Sequence, residues 1–489
     1  MRSISTNPEI RAYGQPRERA RQCLADCSHP AADLAPTYAS AHAARMRGTR
    51  TVSMSHNAEA MAHIGGFAAV ASFEPLSIRA RWPAFARTFA TMKPGLTTFL
   101  DFSRWFAALL VVVNHARALT LADFSTAGAS ATAGPFMRAL YLFTGLGHEA
   151  VVVFFVISGF LVGGSTLERW QRRGPDLRAY ASARTSRIYT TLVPALLIGI
   201  ALDSAGLRWF NASGIYTTMP EPPIATITYV IGSAMNLPTF LGNLFMMQGV
   251  FTQTLGSNGP LWSLACEWWY YCVFALGAAA LTSDKGRRLG WAAAACALAL
   301  LLPFSIMLWG LVWLTGVLTY RWVRSSAWRP HPLAGFALFA FALAASRFTH
   351  GIAVIESNLL AAFARDFVLG IAYAAALASA SRLTRALPFA AWHRQLAEFS
   401  YTTYLFHFPA LLLLCAAAAQ SFGLHFVQRP DARGMAWFVA AVVLVYAYCY
   451  AISLLTERHT PRVRHALDTL LRARPALQVE PSRSPASEA

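Results

Sequence analysis

Charge is what this chain has little of. Asp, Glu, Lys and Arg make up 13% of its 489 residues, against about 25% in an ordinary soluble domain. Acidic residues are the scarcer sign, 23 against 41 Lys and Arg, giving a net charge of +18. A basic excess points to nucleic acid when it is gathered into one patch. Here it is scattered over short segments between apolar runs, so nucleic acid is set aside as a partner and membrane topology is the better explanation. Cysteine is sparse. Cys266, Cys272, Cys296, Cys415 and Cys449 fall in apolar runs, where a thiol behaves as a small hydrophobe. Cys23 and Cys27 form a lone pair with no second pair nearby, so neither a disulfide framework nor a metal site is specified. Tandem repeats are missing, as are a P-loop, a dinucleotide fingerprint and the H-E-x-x-H and G-x-S-x-G patterns. ATP-driven pumping and zinc proteolysis lose their support with them.

What is abundant is apolar sequence: 56% of residues are hydrophobic and mean hydropathy is +0.41. A helix needs about 20 apolar residues to cross a bilayer. Runs of that kind lie at 99–121, 147–165, 187–203, 260–282, 289–305, 307–322, 333–348, 355–379, 398–419 and 435–456. The expected fold is therefore all-α, a polytopic transmembrane bundle of about ten spans. Residues 227–250 are a weaker candidate, interrupted by Gly232, Pro238 and Gly242. Basic residues arbitrate. Arg169, Arg172, Arg173, Arg178 and Arg184 follow the second run; further groups surround Lys285, Arg321, Arg382 and Arg458. These segments alternate with poorly basic ones if 227–250 does not cross, which puts both termini in the cytoplasm. Residues 1–95 are rich in Ala, Arg, Ser and His without apolar period, and read as a disordered tail or an over-extended gene start before Met92. Residues 96–462 form the membrane domain and 463–489 a disordered cytoplasmic tail.

Arg104 and His115 share the first apolar run. Ionisable side chains inside a membrane are functional candidates by default. Eleven residues apart, the two lie on one helix face, about 16 Å from each other along the axis. The plain alternative is an Arg snorkelling at the span edge and a His satisfied in the bundle. In the fourth run, Ser263, Glu267 and Tyr271 recur every four residues and share a face. With that run starting at the outer surface, Glu267 falls about 10 Å below it, level with His115, where it would orient the imidazole. Pairing with an Arg is the structural alternative. Ser400, Tyr404 and His407 share another face, suited equally to helix association or substrate contact. Ser158-Gly159 allows close helix approach, and His148 and Glu149 mark the outer mouth of the second run. Arg184 and Arg187 suit phosphates, although topology determinants look the same. Trp262, Trp268 and Trp269 suit sugar stacking or an interfacial belt.

Together these elements resemble the membrane acyltransferase-3 family. The pieces are Asp101-x2-Arg104-x10-His115, Phe154-Phe155-x2-Ser158-Gly159-Phe160, Arg184-x2-Arg187-Ile188, Trp262-Ser263-Leu264-x2-Glu267, Ser400-Tyr401-x2-Tyr404-Leu405-x-His407, and Glu457 with Pro461. They occur in family order over about residues 97–462. The resemblance implies a bacterial inner-membrane O-acyltransferase with no permanently bound cofactor. It would use acetyl-CoA or another acyl-CoA as co-substrate and a carbohydrate or glycolipid as acceptor. On that reading Arg104, Arg184 and Arg187 bind the donor, and His115 is the general base with Glu267 as its orienter. Ser158, Trp262, Ser263, Tyr271, Tyr404 and His407 line the substrate path or stabilise the oxyanion. A transporter and a non-catalytic scaffold are the rival classes.

Overall fold

The computed structural model describes residues 92–124 and 134–472; of the expected tails 1–95 and 463–489, residues 1–91 and 473–489 lie outside the described residues, whereas 463–472 belong to a helix, Thr460–Arg472, and not to a disordered segment. Helix α1 spans Pro94–Thr120 and the short α2 spans Pro135–Thr144. Helix α3 runs from Gly147 to Arg173, passing through a π-helical turn at Gly159–Gly164. Then come α4 Leu177–Trp209, α5 Leu237–Leu244, α6 Leu261–Thr282 and α7 Lys285–Leu301. The rest are α8 Phe304–Ser325, α9 Pro332–Thr349, α10 Leu359–Ala380, α11 Ala390–Glu398, α12 Ser400–Phe422, α13 Ala432–Leu455 and α14 Thr460–Arg472. Start signals are local. Pro94 and Pro332 occupy first-turn positions, where no N–H is missed. Asp176, Asn358 and Asp431 cap α4, α10 and α13 through their side chains.

Among the described residues, nine helices are long and apolar enough to cross a membrane. They match nine of the expected spans. The remaining one, 289–305, corresponds to α7, which has 17 residues and no buried side chain and packs against α6 at the periphery. No span-length helix forms in the weak 227–250 segment, which holds a single turn at Ile231–Ala234 and the eight-residue α5. Its polar side chains bond to backbone within it and in the loop that follows. Asn243 donates to the carbonyls of Thr239 and Gln253 and accepts from the Leu255 N–H. Gln248, fully buried, donates to the Leu261 carbonyl. Irregular backbone at such a place is tolerated only with partners of this kind.

Helix α3 is the hub: 83% of its apolar window is buried inside the protein, more than for any other candidate span among the described residues. It packs on α1, α8 and α10. The crossing with α8 is backbone on backbone. A Cβ on Gly159 would be driven into the Trp313 carbonyl, and one on Gly316 into the Val156 carbonyl. Small residues are what permits such an approach. Gly159→Ala is expected to destabilise the protein by about 1–3 kcal/mol, by overpacking. Thermal unfolding in detergent reads this directly, and an unchanged midpoint would mean that the seam opens freely.

At the Gly147 end of α3, Glu149 is buried. It is 1% exposed and accepts from the Ser346 hydroxyl. His148 Nε2 meets the buried Asp366 at 2.7 Å, and Asp366 also accepts from Trp309 and Arg365. This network ties α3, α8, α9 and α10 together, and no periodicity argument would have paired His148 with a residue 218 positions away.

Candidate active site

Helices α1, α3, α4, α6 and α12, with the turn after α13, surround a cavity of about 180 Å³. Arg104, Ser158, Arg184, Arg187, Ser263, Glu267, Tyr271, Tyr401, Tyr404 and Glu457 line it. Three of the arginines singled out from sequence are thus brought together, each by a different local cause. Arg104 lies ten residues beyond Pro94 on the inward face of α1. Arg184 and Arg187 project from the first turns of α4, and Arg184 lies over the rings of Tyr180 and Tyr271, at 5.9 and 5.8 Å. Arg187 is paired with Glu457 at 2.5 Å and lies 4.8 Å over the Tyr401 ring. Glu457 spends its second oxygen on the N–H and hydroxyl of Thr402, in the first turn of α12. The negative charge at that helix start also favours the α12 dipole. Arg187 therefore combines exposure to the cavity with a structural pairing.

Glu267 accepts from Tyr271 Oη at 2.5 Å. Because that hydroxyl proton is committed, Ser158 must donate to Tyr271 at 3.0 Å, and Trp313 Nε1 donates to Ser158 at 3.0 Å. The result is a directed chain, Trp313 to Ser158 to Tyr271 to Glu267, ending on a carboxylate at the cavity wall. It also explains why Ser158 precedes Gly159: the glycine lets α8 come close enough for Trp313 to reach the serine. On another wall, the hydroxyls of Ser263 and Tyr404 are 2.6 Å apart.

His115 does not line this cavity. It is part-exposed and lies beyond Tyr404, bonded to His407, its Nδ1 2.8 Å from His407 Nε2 with the two rings stacked. Phe408 meets the His115 ring edge-on. The protons follow from the partners. His407 Nδ1 lies 3.0 Å from the carbonyls of both Thr403 and Tyr404. Carbonyls only accept, so Nδ1 of His407 carries the proton and its Nε2 offers a lone pair. His115 Nδ1 must then donate, which leaves His115 Nε2 as an available lone pair on the neutral ring. This is how a carboxylate sets the tautomer of a catalytic His, with a second imidazole in the carboxylate's place.

The hydrogen-bond partner of His115 Nδ1 is thus His407, whereas Glu267, expected beside it, is bonded to Tyr271. The sequence reading places the start of α6 at the membrane surface. Residues 245–260 instead dip into the bundle, so Leu261 is 1% exposed and Ser263 already meets Tyr404. Glu267 shares the cavity wall with Arg104 and Ser158, and His115 does not. Trp262 is 40% exposed and outside the cavity lining, with its ring edge-on to Phe155. Tyr401 at the cavity wall and Asn258 in the dipping loop were not singled out from sequence. Pro409, by contrast, is a readable signal of a disturbed α12.

With this geometry in hand, comparison with known proteins identifies the group. A family profile described as an acyltransferase domain matches residues 97–454. The chain belongs to the acyltransferase-3 family. It is 29% identical over 205 residues to the acyltransferase MdmB of Streptomyces mycarofaciens, covering 41% of this chain and 44% of that protein. It is 26% identical over 185 residues to an O-acetyl transferase of Shigella phage Sf6, covering 38% and 47%. An uncharacterized Haemophilus influenzae protein is 34% identical over 129 residues, covering 25% and 46%. The chain matches less than half the length of these curated relatives. No solved structure matches it. Family membership, with many apolar helices, makes this acyltransferase-3 member a multi-pass membrane protein.

Proposed function

We propose that this protein is an O-acyltransferase of the bacterial inner membrane, moving an acetyl group from acetyl-CoA to a hydroxyl of a carbohydrate or glycolipid. The observation that carries the proposal is the His115–His407 pair, which leaves one imidazole nitrogen free to take a proton, next to a cavity lined by three arginines. Basic loops at the Arg-bearing ends of α1, α3 and α4 support a cytoplasmic entrance for the donor. Arg104 and Arg184 receive its anionic groups, for which guanidinium is well suited.

His115 Nε2 takes the proton of the acceptor hydroxyl as that oxygen attacks the thioester carbonyl. The tetrahedral intermediate collapses by breaking its C–S bond, and the departing thiolate recovers the proton from His115. The Tyr404 and Ser263 hydroxyls, nearest to the pair on the cavity side, supply hydrogen bonds to the developing oxyanion. Glu267, fixed by Tyr271, balances the cationic wall and holds its position. Transfer is direct, since the serines lining the cavity, Ser158, Ser263 and Ser400, are bonded to hydroxyls, an indole or backbone carbonyls and not to an imidazole or a carboxylate.

The test is purified protein with labelled acetyl-CoA and an envelope-glycan extract, with mass spectrometry of glycans from cells with and without the gene. Arg104→Ala and Arg184→Ala are each expected to raise donor KM about tenfold, the value of a charge-assisted hydrogen bond. Glu267→Ala should change KM less and turnover more. Intact substrate crossing the membrane without consumption of the thioester would replace the enzyme by a transporter.

A further inference from the structure

We propose that Asn258 is a positioning residue. Its side-chain amide replaces the helical N–H that Pro409 removes, and so holds the turn of α12 that sets His407 against His115. The inference rests on the role assigned to that pair above. Pro409 lies inside α12. A proline there has no N–H for the carbonyl four residues back and pushes that carbonyl aside. The carbonyl is that of Leu405, buried, two residues before His407. Left unpartnered it would carry the full desolvation cost of a buried acceptor. Asn258 Nδ2 donates to it at 2.9 Å.

The donor is itself fixed. Asn258 is 3% exposed, its own N–H donates to the Leu255 carbonyl, and its carbonyl accepts from Leu261 at the start of α6. Its neighbour Ser257 donates through both N–H and hydroxyl to the buried Asp203 of α4, each at 2.7 Å. One short loop therefore joins α4, α6 and α12 at the turn carrying His407. A helix with a free carbonyl has a range of bends; this contact selects one. The His407 ring hangs from the carbonyls of Thr403 and Tyr404 in the same turn, so a change of bend moves its Nε2 relative to His115.

The experiment is a set of variants in the full-length protein. Asn258→Ala, and the similarly sized Asn258→Leu that has no donor, are each expected to lower kcat about 10- to 100-fold, the scale set by misplacement of about 1 Å. Donor KM should stay within about twofold, since Asn258 does not line the cavity. Pro409→Ala restores an N–H to Leu405, so in that background Asn258→Ala should cost less than about threefold, a non-additivity reserved for coupled residues. Full turnover by Asn258→Leu overturns the proposal, as does an equal loss with and without Pro409. Should Pro409→Ala alone be inactive, the Leu variant decides. Unfolding midpoints of the same four proteins must show the same coupling. That readout stands even if the wild type fails to transfer an acyl group, which would sink the enzymatic reading and not the Asn258 contact.

Discussion

Alanine at His115 is expected to cut the rate of acetyl transfer by about 10²–10⁴-fold, the usual contribution of a general base. Donor KM should barely move, because His115 lies outside the arginine-lined cavity. The loss is in turnover, measured as initial rates with saturating labelled acetyl-CoA. His407→Ala should cost less, about 10- to 100-fold, since His115 keeps its imidazole and loses only the acceptor that fixes its tautomer. His407→Gln, which can present a carbonyl oxygen near the same place, should recover part of that loss. Two results would remove His115 from the chemistry: full turnover without its imidazole, or a His407→Ala defect larger than that of His115→Ala.

Glu457→Ala is expected to be the most destabilising single change around the cavity, at about 3–5 kcal/mol, because it leaves the Arg187 guanidinium without its carboxylate. The carboxylate side chain is 8% exposed and that of Arg187 25%, so solvent does little for the survivor. Thr402 also loses the acceptor for its N–H and hydroxyl. Replacing both members by Met should be far milder, since an apolar pair of similar volume removes the uncompensated charge. The double variant then separates two roles of Arg187. If it folds and keeps donor KM, Arg187 is structural; if it folds and donor KM rises about tenfold, the guanidinium also meets the donor. Equal instability of the single and double variants would mean that the ion pair is not what holds the start of α12.

The spans were legible because apolar length is a one-dimensional property: nine of the ten expected segments coincide with span-length helices. Arg104 and His115 were legible for a similar reason, since eleven residues bring a helix back to nearly the same face. Yet sharing a face did not give them a shared cavity. Arg104 shares its cavity with Tyr404, and His115 is bonded to His407; both partners belong to α12, some 300 residues along the chain from α1. Glu267 is bonded to Tyr271 on its own helix, and the His115 ring is held by His407. Pattern alone places a residue along its helix but says nothing of which facing helix supplies its partner. Arg187 had a double life that only Glu457, 270 residues away, discloses. The Ser158-Gly159 pair was read correctly as a close contact, though its second purpose, admitting Trp313 to the serine, needed the other helix in view.

The contact between Asn258 and α12 spans 147 residues of sequence, and that separation sets an order of biogenesis. A chain made from its amino end has α4 and α6 in place well before α12 emerges. Until then the loop between them is held through Ser257 and Asp203, and the Asn258 amide has no carbonyl of α12 to meet. Only when α12 arrives is Leu405 offered to Asn258 and His407 to His115. On the proposed mechanism the His115–His407 pair is completed only once α12 has joined the earlier helices, so a chain truncated before α12 is expected to transfer no acyl group.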